Sequence, residues 1–172
     1  KGRAGGRVRF LEDTNRDGRF DRSTLFLDKL NFPNGVIAWR KGILVSAAPE
    51  IFYAEDTDGD GRADRRDVLF EGFVEGNQQH RVNGFARGLD NWIYCANGDS
   101  GGRIRSLKTG RSVNINGRDF RIRPETGEIP IGPLSLLPEV APEIVHPRLE
   151  DLPLRKGSRK KNRESRQSEE KR

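Results

Sequence analysis

The stretch EDTNRDGRFD at residues 12–21 returns as EDTDGDGRAD at residues 55–64, which is an offset of 43 residues. A second pattern runs from Asn34 to Val45 and returns from Asn83 to Tyr94, at an offset of 49 residues. A period of roughly 40–50 residues, made of strands without helical periodicity, is typical of the blades of a β-propeller. The repeats therefore predict an all-β fold and a β-propeller. A β-sandwich, whose turns recur without this longer period, is the alternative.

Nine segments between Gly-rich turns have the composition of β-strands. They are Val8–Glu12, Thr24–Leu30, Gly35–Trp39, Ile43–Ala47, Ile51–Ala54, Val68–Phe73, Trp92–Ala96, Ile104–Leu107 and Phe120–Arg123. Blades of this period leave room for about three up to residue 129, whereas propellers usually close with four to eight. We therefore expect residues 1–129 to be a partial propeller from a longer protein, an expectation that the absence of any methionine supports.

Charge is distributed unevenly along the chain. Residues 155–172 contain nine Lys or Arg, three Glu and no apolar residue, so they account for the whole net charge of +6. Residues 130–154 contain six prolines. We expect a Pro-rich linker over 130–154 and a disordered basic tail over 155–172. Because residues 1–154 carry no net charge, the sequence argues against nucleic acid as a partner.

The length of the apolar runs and the number of cysteines exclude further classes of protein. No apolar run approaches the roughly 18 residues of a membrane-spanning helix, so the sequence predicts no transmembrane segment. The single cysteine, Cys95, excludes an internal disulfide framework and a haem-attachment motif within this stretch.

Acidic residues alternate in the second repeat in the pattern D-x-D-x-D-G-x-x-D. Calcium takes six to eight oxygen ligands, and alternating carboxylates on a tight loop can converge on one ion. The strand-like flanks argue against an EF-hand, whose loop lies between helices. The predicted ligands are the carboxylates of Asp56, Asp58, Asp60 and Asp64 and the backbone carbonyl of Arg62.

The first repeat predicts a weaker calcium loop. Asp13, Asn15, Asp17 and Asp21 hold the same positions, but Asn15 is neutral where the second loop has a carboxylate. Fewer carboxylates lower the affinity for calcium. For both loops the alternative is a solvated acidic turn without an ion. Calcium sites of millimolar affinity are typical of extracellular modules, which favours an extracytoplasmic location.

The motif GDSGG at residues 98–102 matches the nucleophile signature of trypsin-like proteases. That chemistry also needs a histidine and an aspartate brought to the serine by the protease fold. The only histidine upstream, His80, lies one hairpin away and has no protease-like context. We therefore interpret the motif as a polar, Gly-rich turn after a strand.

The stretch GNQQHRVNG at residues 76–84 leads into GLDNWIY at 88–94 and ANGD at 96–99. With NFPNGV at 31–36, AAPEI at 47–51 and the acidic loops, it resembles a planctomycete-type family of bacterial membrane-bound dehydrogenases with a β-propeller fold. That family is similar to the glucose and sorbosone dehydrogenases that use pyrroloquinoline quinone (PQQ). The resemblance covers about residues 7–129.

The resemblance implies a site. In the quinone-dependent enzymes a histidine ahead of a Gly-Pro-Asp-Gly-x-Leu-Tyr strand is the catalytic base, and His80 stands there, with Leu89 in place of the proline. Imidazole can take a hydroxyl proton while hydride leaves the carbon of a sugar or alcohol. The quinone is a tricarboxylate, so Arg81 or Arg87 could pair with it. An electron-carrying haem domain would lie outside this chain.

Each of these assignments has a plainer alternative. His80 could be a hydrogen-bonded structural residue at a blade junction, and the two arginines could be solvated surface charges. The whole chain could belong to a non-catalytic propeller that is stabilised by calcium and binds a glycan or a protein through its loops. An enzyme requires His80 beside a cavity with cationic groups.

Overall fold

Eleven β-strands and one short 3₁₀ turn form the part of the chain that the computed structural model describes, residues 4–115 and 118–130. The all-β prediction is confirmed. The elements are β1 (Gly6–Glu12), β2 (Arg22–Leu30), β3 (Gly35–Trp39), β4 (Gly42–Ala47), β5 (Glu50–Glu55), β6 (Arg65–Phe73), the turn Gln78–His80, β7 (Asn83–Arg87), β8 (Ile93–Ala96), β9 (Gly102–Ser106), β10 (Ser112–Asn114) and β11 (Phe120–Ile122).

The strands form three antiparallel sheets. The first contains β1 and β2, and the second has the order β10-β9-β6-β5-β4-β3. Within the second sheet, β3 to β6 follow one another as a four-stranded meander, and the β9–β10 hairpin extends it at β6. The third sheet has the order β11-β8-β7. Among the described residues none of the sheets closes on itself, and the number of blades stays a prediction.

Strands β4 and β5 are buried on both faces, and both faces are apolar. Leu44 and Ile51 belong to one core cluster, which they share with Ile93 of β8 and Ile122 of β11. Their neighbours in the chain point to the opposite face, since side chains alternate along a strand. That second cluster contains Val45, Ala47, Phe52, Ala54 and Leu30, with Val8 and Phe26 packed against it.

The second sheet therefore has β7, β8 and β11 against one face and the β1–β2 hairpin against the other. The three sheets are stacked face to face in the order in which the chain forms them, apart from β9 and β10. The acidic loops are the two hairpin connections β1–β2 and β5–β6. The repeat at offset 49 corresponds to the hairpins β3–β4 and β7–β8.

The predicted linker and tail lie outside the described residues, apart from Pro130. The described residues include no helix that is long and apolar enough to cross a membrane.

Candidate functional site

The second acidic loop, residues 56–64, is organised by hydrogen bonds from its own backbone. The Asp56 carboxylate accepts bonds from the N–H groups of Gly59 (2.7 Å) and Gly61 (2.8 Å). Gly61 has a φ of +85°, a conformation that glycine adopts without steric cost. Asp60 accepts from the N–H of Arg62 at 2.7 Å. These bonds wind the loop so that its first half surrounds a small acidic centre.

Three predicted ligands come together at that centre. One carboxylate oxygen from each of Asp56, Asp58 and Asp60 lies within 4.8 Å of the other two. Three hard oxygen donors at this spacing are able to bind a divalent cation, and calcium is the cation that prefers a flexible, oxygen-rich loop. The geometry does not identify the ion, so calcium stays a proposal.

The fourth predicted carboxylate has a different partner. The two oxygens of Asp64 accept bonds from the N–H and the hydroxyl of Thr57, at 2.8 and 2.5 Å. The N–H of Asp64 donates to the carbonyl of Glu55 at 3.1 Å. Asp64 therefore closes the base of the loop. Its role as a ligand, like that of the Arg62 carbonyl, stays a prediction.

The first acidic loop, residues 13–21, has the same framework. Asp21 accepts from the N–H (3.0 Å) and hydroxyl (2.7 Å) of Thr14, and its own N–H donates to the Glu12 carbonyl at 2.9 Å. Asp13 accepts from the N–H groups of Asp17 and Gly18. Asn15 occupies the position of Asp58, and its amide donates to Asp17 at 3.2 Å. The first loop thus shares the shape of the second but has one carboxylate fewer.

Hydrogen bonds to the ionised form lower the pKa of three carboxyl groups in these loops. For Asp56 the largest cause is the N–H of Gly61. For Asp64 it is the hydroxyl of Thr57, and for Asp21 the N–H of Thr14. Asp21 and Asp64 are exposed and Asp56 is half-buried. All three carry their negative charge at neutral pH, which is the state that a cation requires.

His80 ends the 3₁₀ turn ahead of β7. Asn77 caps that turn, because its side chain accepts the N–H of Gln79 at 3.1 Å. The Nδ1 atom of His80 is hydrogen-bonded to the carboxylate of Asp99. The His80 side chain is 42% exposed and that of Asp99 75% exposed, so the pair is accessible to solvent.

The close approach of two loops positions this pair. Gly98 lies so near the turn that a Cβ atom there would stand 3.1 Å from the His80 carbonyl oxygen. In the β7–β8 ladder Asn83 faces Ala96, and counting three residues outward from that pair brings 80 opposite 99. The sequence reasoning missed Asp99 because it treated GDSGG as a plain turn and did not predict β7, which supplies the register.

The two arginines expected at the site line different cavities. Arg81 is buried and lines a cavity of about 850 Å³. Arg87 is exposed, donates to the Ala38 carbonyl at 3.0 Å and lines a separate cavity of about 640 Å³. The structure therefore brings His80 together with Asp99 but does not bring Arg81 together with Arg87.

The comparisons with known proteins give one match. A family model described as a domain of unknown function, DUF7133, matches residues 1–134. No curated protein matches the chain. No solved structure matches it either. The matched range includes every strand described above, both acidic loops and the His80–Asp99 pair.

Proposed function

The chain belongs to the DUF7133 family, which has no assigned activity, and we propose that it is part of a calcium-stabilised β-propeller of a quinone-dependent sugar or alcohol dehydrogenase. The observation that carries the proposal is the exposed His80–Asp99 pair. An extracytoplasmic location belongs to the same proposal, because calcium is abundant there.

The arrangement of the sheets supports a propeller over a sandwich. Propeller blades are four-stranded meanders that pack face to face in chain order, and β3–β6 is such a meander between two neighbouring sheets. The repeats give the same alignment: β1–β2 corresponds to β5–β6, and β3–β4 to β7–β8. One departure is that β9 pairs with β6 of the preceding sheet, while β11 takes the place beside β8.

The bond to Asp99 suits His80 as a general base, although His80 lines neither the cavity that contains Arg81 nor the one that contains Arg87. When Nδ1–H donates to the Asp99 carboxylate, the lone pair of Nε2 is left as the proton acceptor. Asp99 also stabilises the imidazolium that forms once His80 has taken the proton of a substrate hydroxyl. Asp99 is therefore proposed as the residue that orients His80, and His80 as the catalytic residue.

The residues present fit a quinone in part. The buried guanidinium of Arg81 suits one carboxylate of pyrroloquinoline quinone, whereas Arg87 belongs to another cavity and already donates to a backbone carbonyl. When bound, the quinone would supply the hydride acceptor. This chain would contribute the proton acceptor, one cationic contact and the calcium-stabilised framework.

The test uses the natural protein that contains this chain, supplied with calcium and pyrroloquinoline quinone. Dye reduction is measured with a panel of sugars and alcohols. We expect His80→Ala to lower the rate by roughly 10²–10⁴-fold, as is typical for the loss of a general base, and Asp99→Asn to lower it less. Gln79→Ala, on the exposed side of the same turn, is the matched control and should keep the rate.

A His80→Ala variant that keeps the rate of the unaltered protein would show that the catalytic assignment is wrong. A second candidate function is a non-catalytic propeller that binds a glycan or a protein. It is favoured by apolar side chains at loop tips, since Phe20 is 71% and Leu89 88% exposed. That candidate replaces the first if the natural protein binds no quinone and oxidises no member of the panel.

A further inference from the structure

The cavity of about 640 Å³ opens at the end of β7 that is opposite to His80. Strands β3 and β7 run in the same direction. At their beginnings, a Cβ atom at Gly35 would stand 3.7 Å from the Cα atom of Asn83. At their ends, Arg87 donates to the Ala38 carbonyl at 3.0 Å. The five residues of β7 span roughly 13 Å. The cavity therefore lies apart from the site of the proposed function.

Three arginines from different parts of the chain line this cavity. Arg40 belongs to the β3–β4 turn, Arg87 ends β7, and Arg123 follows β11. Arg123 is paired with Glu128 at 3.2 Å. Within residues 4–115 and 118–130, neither Arg40 nor Arg87 forms an ion pair with a carboxylate. The wall contains one carboxylate, that of Glu125, so positive charge prevails in it.

Arg40 is held in place without its hydrogen-bond donors being used. Its guanidinium carbon lies 4.3 Å from the centre of the Trp39 ring. The indole N–H of Trp39 donates to Glu125 at 3.0 Å, which fixes both the ring and the carboxylate of the wall. Among the described residues, the Arg40 guanidinium donates no hydrogen bond to the protein. A guanidinium packed on an aromatic ring keeps its fork of N–H donors for a planar contact at its edge, so that fork is available to a ligand.

The backbone at Arg40 shows that the turn itself does not require an arginine. Its φ is +54°, in the left-handed region that glycine occupies at no steric cost. Two-residue hairpin turns that contain a positive φ favour glycine or asparagine there. Non-glycine residues held in this conformation are concentrated at ligand-binding and active sites. The side chain of Arg40 therefore has a use that the fold does not explain.

We infer that this cavity binds a ligand through a tetrahedral oxyanion, the group of a phosphate or sulfate ester, with Arg40 as its main contact. A carboxylate has two oxygens in one plane, which a single arginine fork satisfies. A phosphate or sulfate ester has three free oxygens that accept bonds from several directions, which suits arginines from three elements. The volume is in the range of small-molecule sites, roughly 300–1,000 Å³, and leaves room for the rest of the ligand.

Anion titrations followed by NMR on the 172-residue chain test the inference. The chain has two tryptophans, and Trp92→Phe assigns their two indole N–H signals. The Trp39 signal reports on the cavity, so anions attracted to the basic residues 155–172 are not counted. The probes are inorganic phosphate, inorganic sulfate and acetate, each up to roughly 10 mM in calcium-free buffer at constant ionic strength.

We expect phosphate, sulfate or both to shift the Trp39 signal with saturation, and acetate to bind at least several-fold more weakly. A response to phosphate alone identifies the natural ligand as a phosphate ester. A response to sulfate alone identifies it as a sulfate ester.

Substitutions then locate the site. Arg40→Gly removes the guanidinium and suits the backbone, so it should weaken anion binding by roughly tenfold without lowering the urea midpoint. Lys29→Gly is the matched control, because Lys29 is an exposed basic residue with a φ of +56° that does not line the cavity. It should leave the affinity unchanged. Glu125→Gln keeps an acceptor for Trp39 but removes the negative charge, so it should strengthen binding several-fold.

Three results overturn the inference: neither phosphate nor sulfate shifts the Trp39 signal with saturation, acetate binds as tightly as they do, or the affinity is unaffected by both Arg40→Gly and Glu125→Gln. None of these results bears on His80, whose test is a reaction rate. Failure of the anion site and failure of the dehydrogenase proposal are therefore distinguishable.

Discussion

The two acidic loops, 13–21 and 56–64, share one backbone framework and differ in the side chain at their third position. In both, a threonine at the second position of the loop and an aspartate at its end form the same pair of hydrogen bonds. The third position is Asn15 in one loop and Asp58 in the other. The framework is thus independent of the number of carboxylates, and the third position decides how many charges a cation would meet.

The loops also differ in their surroundings. The second loop is attached to β2, because the N–H of Ala63 donates to the Phe26 carbonyl at 2.9 Å. Gly61 of that loop faces Thr24 of β2. The first loop has its described hydrogen bonds within residues 12–21. A cation that fixes the second loop should therefore also stabilise the β1–β2 hairpin. One that fixes the first loop should stabilise mainly that loop.

The largest expected effect is on calcium affinity. Asp58→Ala removes one of the three clustered carboxylates, and we expect it to weaken calcium binding at the second loop by roughly tenfold or more. Asn15→Ala removes a neutral amide from the matched position and should change the first loop's affinity less. Calorimetric titration with calcium gives both values; the absence of any calcium heat at millimolar concentration would refute the metal assignment.

The converse substitution sharpens the comparison. Asn15→Asp gives the first loop the carboxylate that the second already has, within a framework that the two loops share. We expect the affinity of the first loop for calcium to rise several-fold towards that of the second. An unchanged affinity would show that the surroundings of the loop, and not its charge, set the difference.

The glycines at the sixth position of each loop test the surroundings directly. Gly18 and Gly61 have φ values of +87° and +85°, so alanine at either should cost about 1–2 kcal/mol of folding free energy. A Cβ atom at 61 would also stand 3.0 Å from the Cγ2 atom of Thr24, whereas one at 18 meets nothing within 4 Å. Gly61→Ala should therefore lower the free energy of unfolding more than Gly18→Ala does, as measured by urea denaturation. Equal losses would contradict the proposed contact with β2.

Much of the fold follows from the sequence because most strands carry apolar side chains on at least one face. The nine predicted segments coincide with β1 to β6, β8, β9 and β11. The two missed strands, β7 and β10, are edge strands of their sheets. Edge strands bury few side chains, and in β7 and β10 no residue is fully buried, so the sequence has no apolar alternation to reveal them.

The candidate site was predictable to the extent that it depends on local spacing. Asp56, Asp58 and Asp60 converge, as carboxylates at alternate positions of one tight loop can do. The bond between His80 and Asp99 depends on the register of two strands, one of which was missed. The separation of Arg81 from Arg87 depends on which cavity each side chain lines, and residues six positions apart in sequence give no indication of that.

The smallest expected effect is on acid stability, and its sign follows from the lowered pKa values. A carboxyl group whose pKa is lower in the folded than in the unfolded chain stabilises the fold above its unfolded pKa, and this stabilisation disappears as the pH falls through the folded pKa. Asp56 and Asp64 are such groups in the second loop, and Asp21 is one in the first. The pH range in which this stabilisation is lost therefore lies below 3.8, the ordinary pKa of aspartate. Because Asp21 and Asp64 are exposed and Asp56 is only partly buried, the effect should be modest.

Asparagine substitutions in calcium-free buffer isolate this effect. Asp56→Asn should melt at a lower temperature than the unaltered chain at pH 6. The difference should shrink as the pH falls below 3.8, where the unfolded carboxyl takes up a proton before the folded one does. Asp21→Asn should show the same trend at the first loop. Since the second loop holds two such groups and the first holds one, the double substitution of Asp56 and Asp64 should show the greater dependence on pH. Thermal melts followed by circular dichroism measure this, and a difference that stays constant from pH 6 to pH 3 would mean that the backbone bonds to these carboxylates do not favour the ionised form.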